Sequence, residues 1–242
     1  MQCNAMHYKG DTVRCGPSLR RRVTSNKQQL TKPTIPTSAI TGLVLAGGRG
    51  SRMGGVDKGL QVFAGQPLAL HTLRRLQAGA GLGAYMLNAN RNLDVYRQFG
   101  VPVHPDAVGD FAGPLAGFLA GLDHCPSDYL LAVPCDTPLF PVDLVPRLAQ
   151  ALDESGALLA MPSAPEADGQ GLSRVRLQPV FCLMHVSVAT GLRQYMLGGG
   201  RKIDTWFAQS AGVVVPFDRP GDDPQAFFNL NTLDELAQAQ QP

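Results

Sequence analysis

Directly after an apolar run, residues 45 to 58 read LAGGRGSRMGGVDK, and glycines at 47, 48, 50, 54 and 55 leave much of that backbone without side chains. Backbone N–H groups in such a turn can close around phosphate oxygens, and Arg52 and Lys58 add fixed positive charge for a triphosphate. The spacing is neither GxxxxGK[ST] nor a GxGxxG that opens at once into a helix, so a kinase-like P-loop and a dinucleotide site are both disfavoured. An ordinary glycine-rich surface turn would explain pliancy, but not Arg52 and Lys58 set among the glycines behind a buried strand. A second chemical element is VPCDTP, which places Asp136 just past the hydrophobic run Tyr129 to Val133. A carboxylate there can hold Mg²⁺ against triphosphate oxygens, because that ion takes one or two protein carboxylates and fills its other positions with phosphates and water. Aspartate beside proline is also a common turn or cap residue; it is the company of the glycine loop that favours the metal.

Ligands of open α/β sheets bind outside the carboxyl ends of strands, so both elements need strands that end just before them. The pattern supplies these. Ile40 to Ala46 reads as a buried first strand, Tyr85 to Asn88 as a second, Val101 to His104 as a third and Tyr129 to Val133 as a fourth. Helical spacing falls between them: a helix beginning near Pro67 buries Leu70, Leu73 and Leu76, and Leu115, Phe118, Leu119 and Leu122 mark another, opened by Gly113 and Pro114. Leu144, Val145, Leu148 and Leu152 give a third helix, followed by strands at Leu158 to Met161 and Pro179 to Met184. Residues 163–175 have loop composition between those strands. Ser187 to Leu197 and Lys202 to Gln209 read as helices, Val213 to Phe217 as extended, and Leu233 to Gln240 as a closing helix. Alternating strands and helices predict an α/β fold, a Rossmann-like three-layer sandwich around a mainly parallel, doubly wound sheet.

Composition narrows the class. Hydrophobic residues make up 44% and charged residues 17% of the 242, which suits a globular core. The longest apolar runs are far shorter than the roughly 20 residues that span a bilayer, so no membrane segment is expected. Of 21 Lys/Arg and 19 Asp/Glu, seven and one fall in residues 1–39, which leaves 14 basic against 18 acidic residues from position 40 onward. The small net positive charge therefore belongs to the amino-terminal stretch, and a nucleic-acid-binding core is not indicated. Residues 1–38 are polar and basic with no strand or helix periodicity and are expected to be a disordered extension; the domain proper is residues 39–242. Arg20, Arg21 and Arg22 are followed by no apolar stretch, so twin-arginine export is disfavoured. Five scattered cysteines, with no CxxC pair and no Cys/His cluster at zinc spacing, fit a reducing, cytoplasmic setting.

In chain order, the loop LAGGRGSRMGGVDKGL, NANR (Asn88 to Arg91), GPLAG (Gly113 to Gly117), PCDTP and FNLNT (Phe228 to Thr232) resemble the molybdenum cofactor guanylyltransferase family. The resemblance covers residues 40–240. It implies a nucleotidyltransferase-type fold that moves GMP from GTP to molybdenum-loaded molybdopterin, forming the guanine dinucleotide cofactor and pyrophosphate with Mg²⁺. Leu45, Ala46, Gly47 and Gly48 would line the nucleotide, and Lys58 and Arg52 its phosphates. Asn88 and Asp106 match nucleotide-binding positions of the family, and Asp136 matches both a nucleotide contact and the magnesium ligand. Asn231 stands where the wider fold often supplies a second metal contact, with Asn229 close by. Relatives that use CTP read LAAG at the first strand end; Gly47 here leaves room for a bulkier purine. The partners implied are the two small-molecule substrates, with transient contact to enzymes that make or accept the cofactor, and neither nucleic acid nor membrane.

The chemistry of such a transfer needs no protein nucleophile. An anionic phosphate monoester attacks the α-phosphorus and pyrophosphate leaves in line, so positioning and charge neutralisation carry the reaction. His71, His104 and His185 are accordingly expected in or beside packed elements, and Cys135 as a small filler. For the acceptor, Gly198 to Gly200 followed by Arg201 and Lys202 form a candidate anion site as readily as a solvated helix start, and residues 163–175, with Arg174 and Arg176, are a candidate cover for the pterin. Two rivals stay open: a cytidylyl or sugar nucleotidylyltransferase, and a non-catalytic module that delivers the cofactor.

Overall fold

The computed structural model describes residues 35–46, 57–79, 81–106, 113–167 and 173–230. The expected extension at residues 1–38 lies outside these apart from its last four residues, as does the expected closing helix at Leu233 to Gln240. The chain enters through Ile35, packed on the core, and a single 3₁₀ turn, Thr37–Ala39. It then runs through β1 (Ile40–Leu45), a second 3₁₀ turn at Lys58–Leu60, and the two-residue strands β2 (Val62–Phe63) and β3 (Gln66–Pro67). Next come α1 (Leu68–Gly79), β4 (Ala84–Asn88), α2 (Leu93–Arg97), β5 (Val103–His104), α3 (Pro114–His124), β6 (Tyr129–Pro134) and α4 (Leu144–Ser155). The remaining elements are β7 (Leu159–Ala167), β8 (Ser173–Leu177), β9 (Cys182–His185), α5 (Ala189–Leu197), α6 (Ile203–Gln209) and β10 (Val213–Pro216).

The main sheet has the order β10-β7-β9-β6-β1-β4-β5. The pairs β6·β1, β1·β4, β4·β5 and β10·β7 are parallel, while β9 runs antiparallel to both β6 and β7. Side chains alternate between two cores because successive residues of a strand face opposite sides. Ile40 and Val44 of β1, Leu87 of β4 and Leu131 and Val133 of β6 pack on one face with α1 and α4. Leu43, Met86, Leu130 and Ala132 pack on the other with α3, α5 and α6. That is the three-layer, doubly wound sandwich the alternation predicts. The central strands β1 and β6 are buried on both faces along nearly their whole length, which is why their sequence reads as a run rather than as an alternation.

Local chemistry fixes the helix ends. Pro114 occupies the first turn of α3 behind Gly113, whose φ of 125° suits a residue without a side chain. Gly156 closes α4 in the left-handed conformation at φ 67°, its N–H reaching the Leu152 carbonyl. On α3, Gly117 and Gly121 lie one turn apart and face the sheet; a Cβ on Gly121 would collide with Leu43 and Leu130, so these two glycines set how closely the helix lies on β1, β4 and β6.

The structure departs from the sequence reading at several places. Residues 163–175 are not a loop throughout: β7 continues to Ala167 and pairs antiparallel with β8, Ser163 opposite Leu177 through Ala167 opposite Ser173. Pro162, Pro165 and Glu166 mask the strand in the sequence, yet the ladder needs only one edge of β7 there, so proline is tolerated. Pro67 ends a small hairpin with Val62 instead of opening the helix, which starts one residue later. Leu70 is half-buried, while Ala69 and Thr72 take the core-facing places beside Leu73 and Leu76. Val101 lies outside β5, and the strand expected at Pro179 begins at Cys182. The five-residue α2, with too few apolar positions to show a period, is absent from the sequence reading.

Candidate active site

Four parallel strands end side by side. Leu45 is in register with Asn88 on one side and Pro134 on the other, and Asn88 is in register with His104. Backbone bonds carry the alignment one step past the strands: Ala46 N–H donates to the Asn88 carbonyl at 2.8 Å, and Cys135 N–H donates to the Leu45 carbonyl at 3.1 Å. This edge is where a ligand of an open α/β sheet binds. Of the residues singled out in the sequence, Leu45, Ala46, Lys58, Asn88, Asp106 and Asp136 come together around it. Gly47, Gly48, Arg52 and Asn231 lie outside the described residues.

Asn88 and Asp106 form the polar floor on the β4–β5 side. The Asn88 side-chain amide donates to Asp106 Oδ1 at 2.8 Å and to the His104 carbonyl at 3.0 Å. Asn90 doubles the hold: its amide donates to Asp106 Oδ2, and its Oδ1 accepts from the Asp106 N–H, both at 2.8 Å. Asn88 is 3% exposed. A Cβ at Gly117 would lie 2.7 Å from Asn88 Oδ1 and 2.7 Å from Leu45 Cδ2, so GPLAG carries its second glycine because α3 presses on the carboxyl ends of β1 and β4.

On the β6 side, Lys58 Nζ donates to Asp136 Oδ2 at 2.7 Å across 78 residues of sequence. Both side chains are about one-fifth to one-quarter exposed, and Asp136 Oδ1 accepts no hydrogen bond from the described residues. Asp136 is anchored from three sides. Thr72 of α1 donates to the Cys135 carbonyl, buried Thr137 donates to Asn229 Oδ1 at 2.5 Å, and Leu230 N–H donates to the Asp136 carbonyl at 2.8 Å. The carboxy-terminal segment thus reaches the strand end at Leu230, the residue before Asn231.

The donor set suits one kind of metal. No group of three or more His, Cys, Asp or Glu is gathered among the described residues, so no all-protein cage exists there. A partly exposed carboxylate with one uncommitted oxygen fits a hard ion that takes most of its ligands from a triphosphate and water. Cys135 is buried, and burial pushes its thiol well above the usual range, which leaves it protonated packing. His104 stacks on His124 with ring centroids 4.0 Å apart, its pKa lowered by burial and then by that neighbour. His71 packs edge-on against Phe63, and His185 accepts from the Ser187 N–H. His71, His104 and His185 thus sit in or beside packed elements, as expected.

Two of the acceptor-side candidates bond to described groups of their own neighbourhood. Arg201 Nη1 donates to the Met196 carbonyl at 2.9 Å and to the Gly200 carbonyl at 2.7 Å, closing the end of α5. Arg176 pairs with Glu166 across the β7–β8 ladder at 3.4 Å. Sequence reasoning missed Asp57, Asn92 and Tyr96, which support Lys58 from beneath. Asp57 is the acidic neighbour of Lys58, and its burial is the signal that composition cannot carry.

Comparison with known proteins agrees with this geometry. The family described as MobA-like NTP transferase domain matches residues 42–238. A molybdenum cofactor guanylyltransferase from an Acidovorax species is 64% identical over 203 residues, 84% of this chain and 95% of its own length. One from Albidiferax ferrireducens is 61% identical over 204 residues, 84% and 97% of the two chains. Among solved structures, molybdopterin-guanine dinucleotide biosynthesis protein A from Archaeoglobus fulgidus superposes with a TM-score of 0.63 at 22% identity, over 83% of this chain and 96% of that one. A 4-diphosphocytidyl-2C-methyl-D-erythritol synthase from Anaerococcus prevotii gives 0.62 at 11% identity, over 84% and 95%, and shares the fold. At these identities and over this span, the chain belongs to the molybdenum cofactor guanylyltransferase family, within the MobA-like NTP transferases.

Proposed function

We propose that the chain transfers GMP from GTP to molybdenum-loaded molybdopterin. A phosphate oxygen of the acceptor forms the new bond to the α-phosphorus, the bond from that phosphorus to the β-phosphate bridging oxygen breaks, and pyrophosphate leaves with that electron pair. The observation that carries this reading is the meeting of Lys58, Asp136, Asn88 and Asp106 at the ends of four adjacent parallel strands. It is supported by relatives over 60% identical that bear the guanylyltransferase name.

In this reading Leu45, Ala46, Gly47, Gly48, Asn88 and Asp106 bind the nucleotide, with Asp106 held rigid by Asn88 and Asn90. Lys58 and Arg52 bear on the triphosphate, where a fixed cation neutralises charge that grows on the leaving pyrophosphate. Asp136 would hold Mg²⁺, with Asn231 as a second contact, and the ion supplies charge neutralisation on the phosphates. Lys58 and Asp136, which bond to each other here, turn to phosphate and cation respectively when nucleotide binds. No His or Cys is asked to move a proton. Gly47 admits the purine; a Gly47→Ala variant that kept its full preference for GTP over CTP would sink that account.

The catalytic unit in this reading is residues 39–242, with 1–38 outside it, and protease trimming to about residue 38 is expected to leave activity unchanged; lost activity would contradict it. We place the protein in the cytoplasm, in transient contact with enzymes that make or accept the cofactor; its described cysteines, Cys125, Cys135 and Cys182, are free thiols, and no described helix is long and apolar enough to cross a membrane.

The test is pyrophosphate release with Mg²⁺ and molybdenum-loaded molybdopterin, comparing GTP, CTP and ATP. Acceptor-dependent release with GTP is expected. Release with CTP would move the chain to cytidylyl transfer, and no release with any nucleotide would leave delivery of the cofactor as its role.

A further inference from the structure

Lys58 sits on a turn whose support comes from a different part of the sheet. Asp57, immediately before it, is 8% exposed, and both of its carboxylate oxygens are committed. Oδ1 accepts from the Gly59 N–H at 3.2 Å and from the Tyr96 hydroxyl at 2.7 Å. Oδ2 accepts from the Asn92 side-chain amide at 2.8 Å, with Arg91 Nε 3.6 Å away. Asn92 and Tyr96 are four residues apart at the start and on the body of α2, so they share one face of it. Asn92 holds a left-handed conformation at φ 50°, and Tyr96 is fully buried. Gly59 completes the fit, since a Cβ there would collide with the Tyr96 hydroxyl.

This arrangement is specific in a way that simple burial is not. Burial, and then the bond to Asp57, hold the Tyr96 phenol protonated, so it remains a donor. A buried carboxylate is costly unless charge and hydrogen bonds satisfy it, and here they all arrive from residues 59 and 91–96. β4 ends at Asn88 and the same β4–β5 connection carries Asn90, and these two fix Asp106. The nucleotide floor and the phosphate lysine therefore hang from one short segment.

We infer that Asp57, Asn92 and Tyr96 are positioning residues, a carboxylate-centred clamp that holds the Lys58 turn in register with Asp136 and thereby sets how strongly the triphosphate is gripped. The inference rests on the proposed role of Lys58 and extends it to residues that touch no substrate. Asp57 serves as the hub, Tyr96 as the buried donor from beneath and Asn92 as the outer donor.

The experiment is a double-mutant cycle read by direct binding of GTP with Mg²⁺ to the full chain, with circular dichroism and thermal melting to verify folding. Tyr96→Phe keeps the ring and removes one donor. Asn92→Gly accepts the left-handed backbone and removes the other, in case the buried change prevents folding. Each is expected to weaken GTP binding about fivefold in the wild-type background and less than twofold in Lys58→Ala, because the clamp then has nothing left to position. Equal losses in both backgrounds, or loss of melting temperature with unchanged GTP affinity, would overturn the clamp and leave these residues as packing. If Lys58→Ala bound GTP as tightly as wild type, the phosphate role of Lys58 itself would fall, and the clamp with it.

Discussion

Two pairs of a cation with an aspartate stand in this molecule, and they behave as opposites. Lys58 and Asp136 meet at the ends of β1 and β6 through one bond, and Asp136 keeps an oxygen uncommitted among the described residues. Arg147 of α4 meets Asp222 through both carboxylate oxygens at 2.9 and 3.1 Å, lies near Asp143 at 3.4 Å, bonds the Pro216 carbonyl and stacks its guanidinium 3.6 Å over the Phe217 ring. Its side chain is 7% exposed. Both terminal nitrogens of Arg147 are committed while its Nε is buried without a hydrogen bond; a pair held in this way cannot take up a ligand without losing what it has, and it fastens the carboxy-terminal segment and β10 to α4. Asp136, with one oxygen uncommitted among the described residues, can take up a further partner. Charge and proximity are common to both; the uncommitted oxygen of Asp136 is what would let the first pair bind a ligand where the second can only serve as a buttress.

The contrast can be broken by removing one member at a time. Asp136→Ala is expected to lower kcat/KM for GMP transfer about a thousandfold, roughly 4 kcal/mol of transition-state stabilisation, with the melting temperature little changed. Lys58→Ala is expected to cost about a hundredfold, read in the same assay. Asp222→Ala should reverse the pattern, with a loss of about 2 kcal/mol in denaturant unfolding, because a buried guanidinium loses its main partner, and kcat within twofold of wild type. Gly117→Ala should raise the KM for GTP about tenfold, since the added methyl displaces Asn88 and Leu45 at the nucleotide floor.

The pH dependence of the buttress has a fixed sign. The hydrogen bond from Arg147 holds the Asp222 carboxyl below the ordinary carboxylate range. A carboxyl depressed in the folded state contributes stability above its unfolded pKa and loses it as pH falls through the folded value. The stability difference between wild type and Asp222→Asn should therefore be full at neutral pH and shrink in acid below the ordinary carboxylate range, as followed by urea midpoints.

Much of the site was legible because its chemistry coincides with its spacing. Asn88 and Asp106 entered through their match to family positions, whereas Asp136 and Lys58 follow buried strands, and a strand end is a place that hydrophobic pattern can find. The three-layer fold was legible for the same reason, since apolar runs of the parallel half alternate with helical periods. What stayed hidden depends on partners distant in sequence. Asp57 reads as one more polar residue in a loop until Tyr96, 39 residues away, donates to it. α2 is too short to show a period, and β7 beyond Met161 is masked by Pro162 and Pro165 although its ladder with β8 is regular. Arg147 lies at helical spacing with the polar Asp143, Gln150 and Glu154, with nothing local to distinguish it from an exposed arginine.

The most direct measurement follows label from [α-³²P]GTP into molybdenum-loaded molybdopterin with wild-type and Asp136→Ala protein at equal folded concentration. The label should appear in the acceptor with wild type and about a thousandfold more slowly with the variant. Equal rates in the two proteins, or no transfer by wild type, would contradict the assignment of this strand edge as the site of guanylyl transfer.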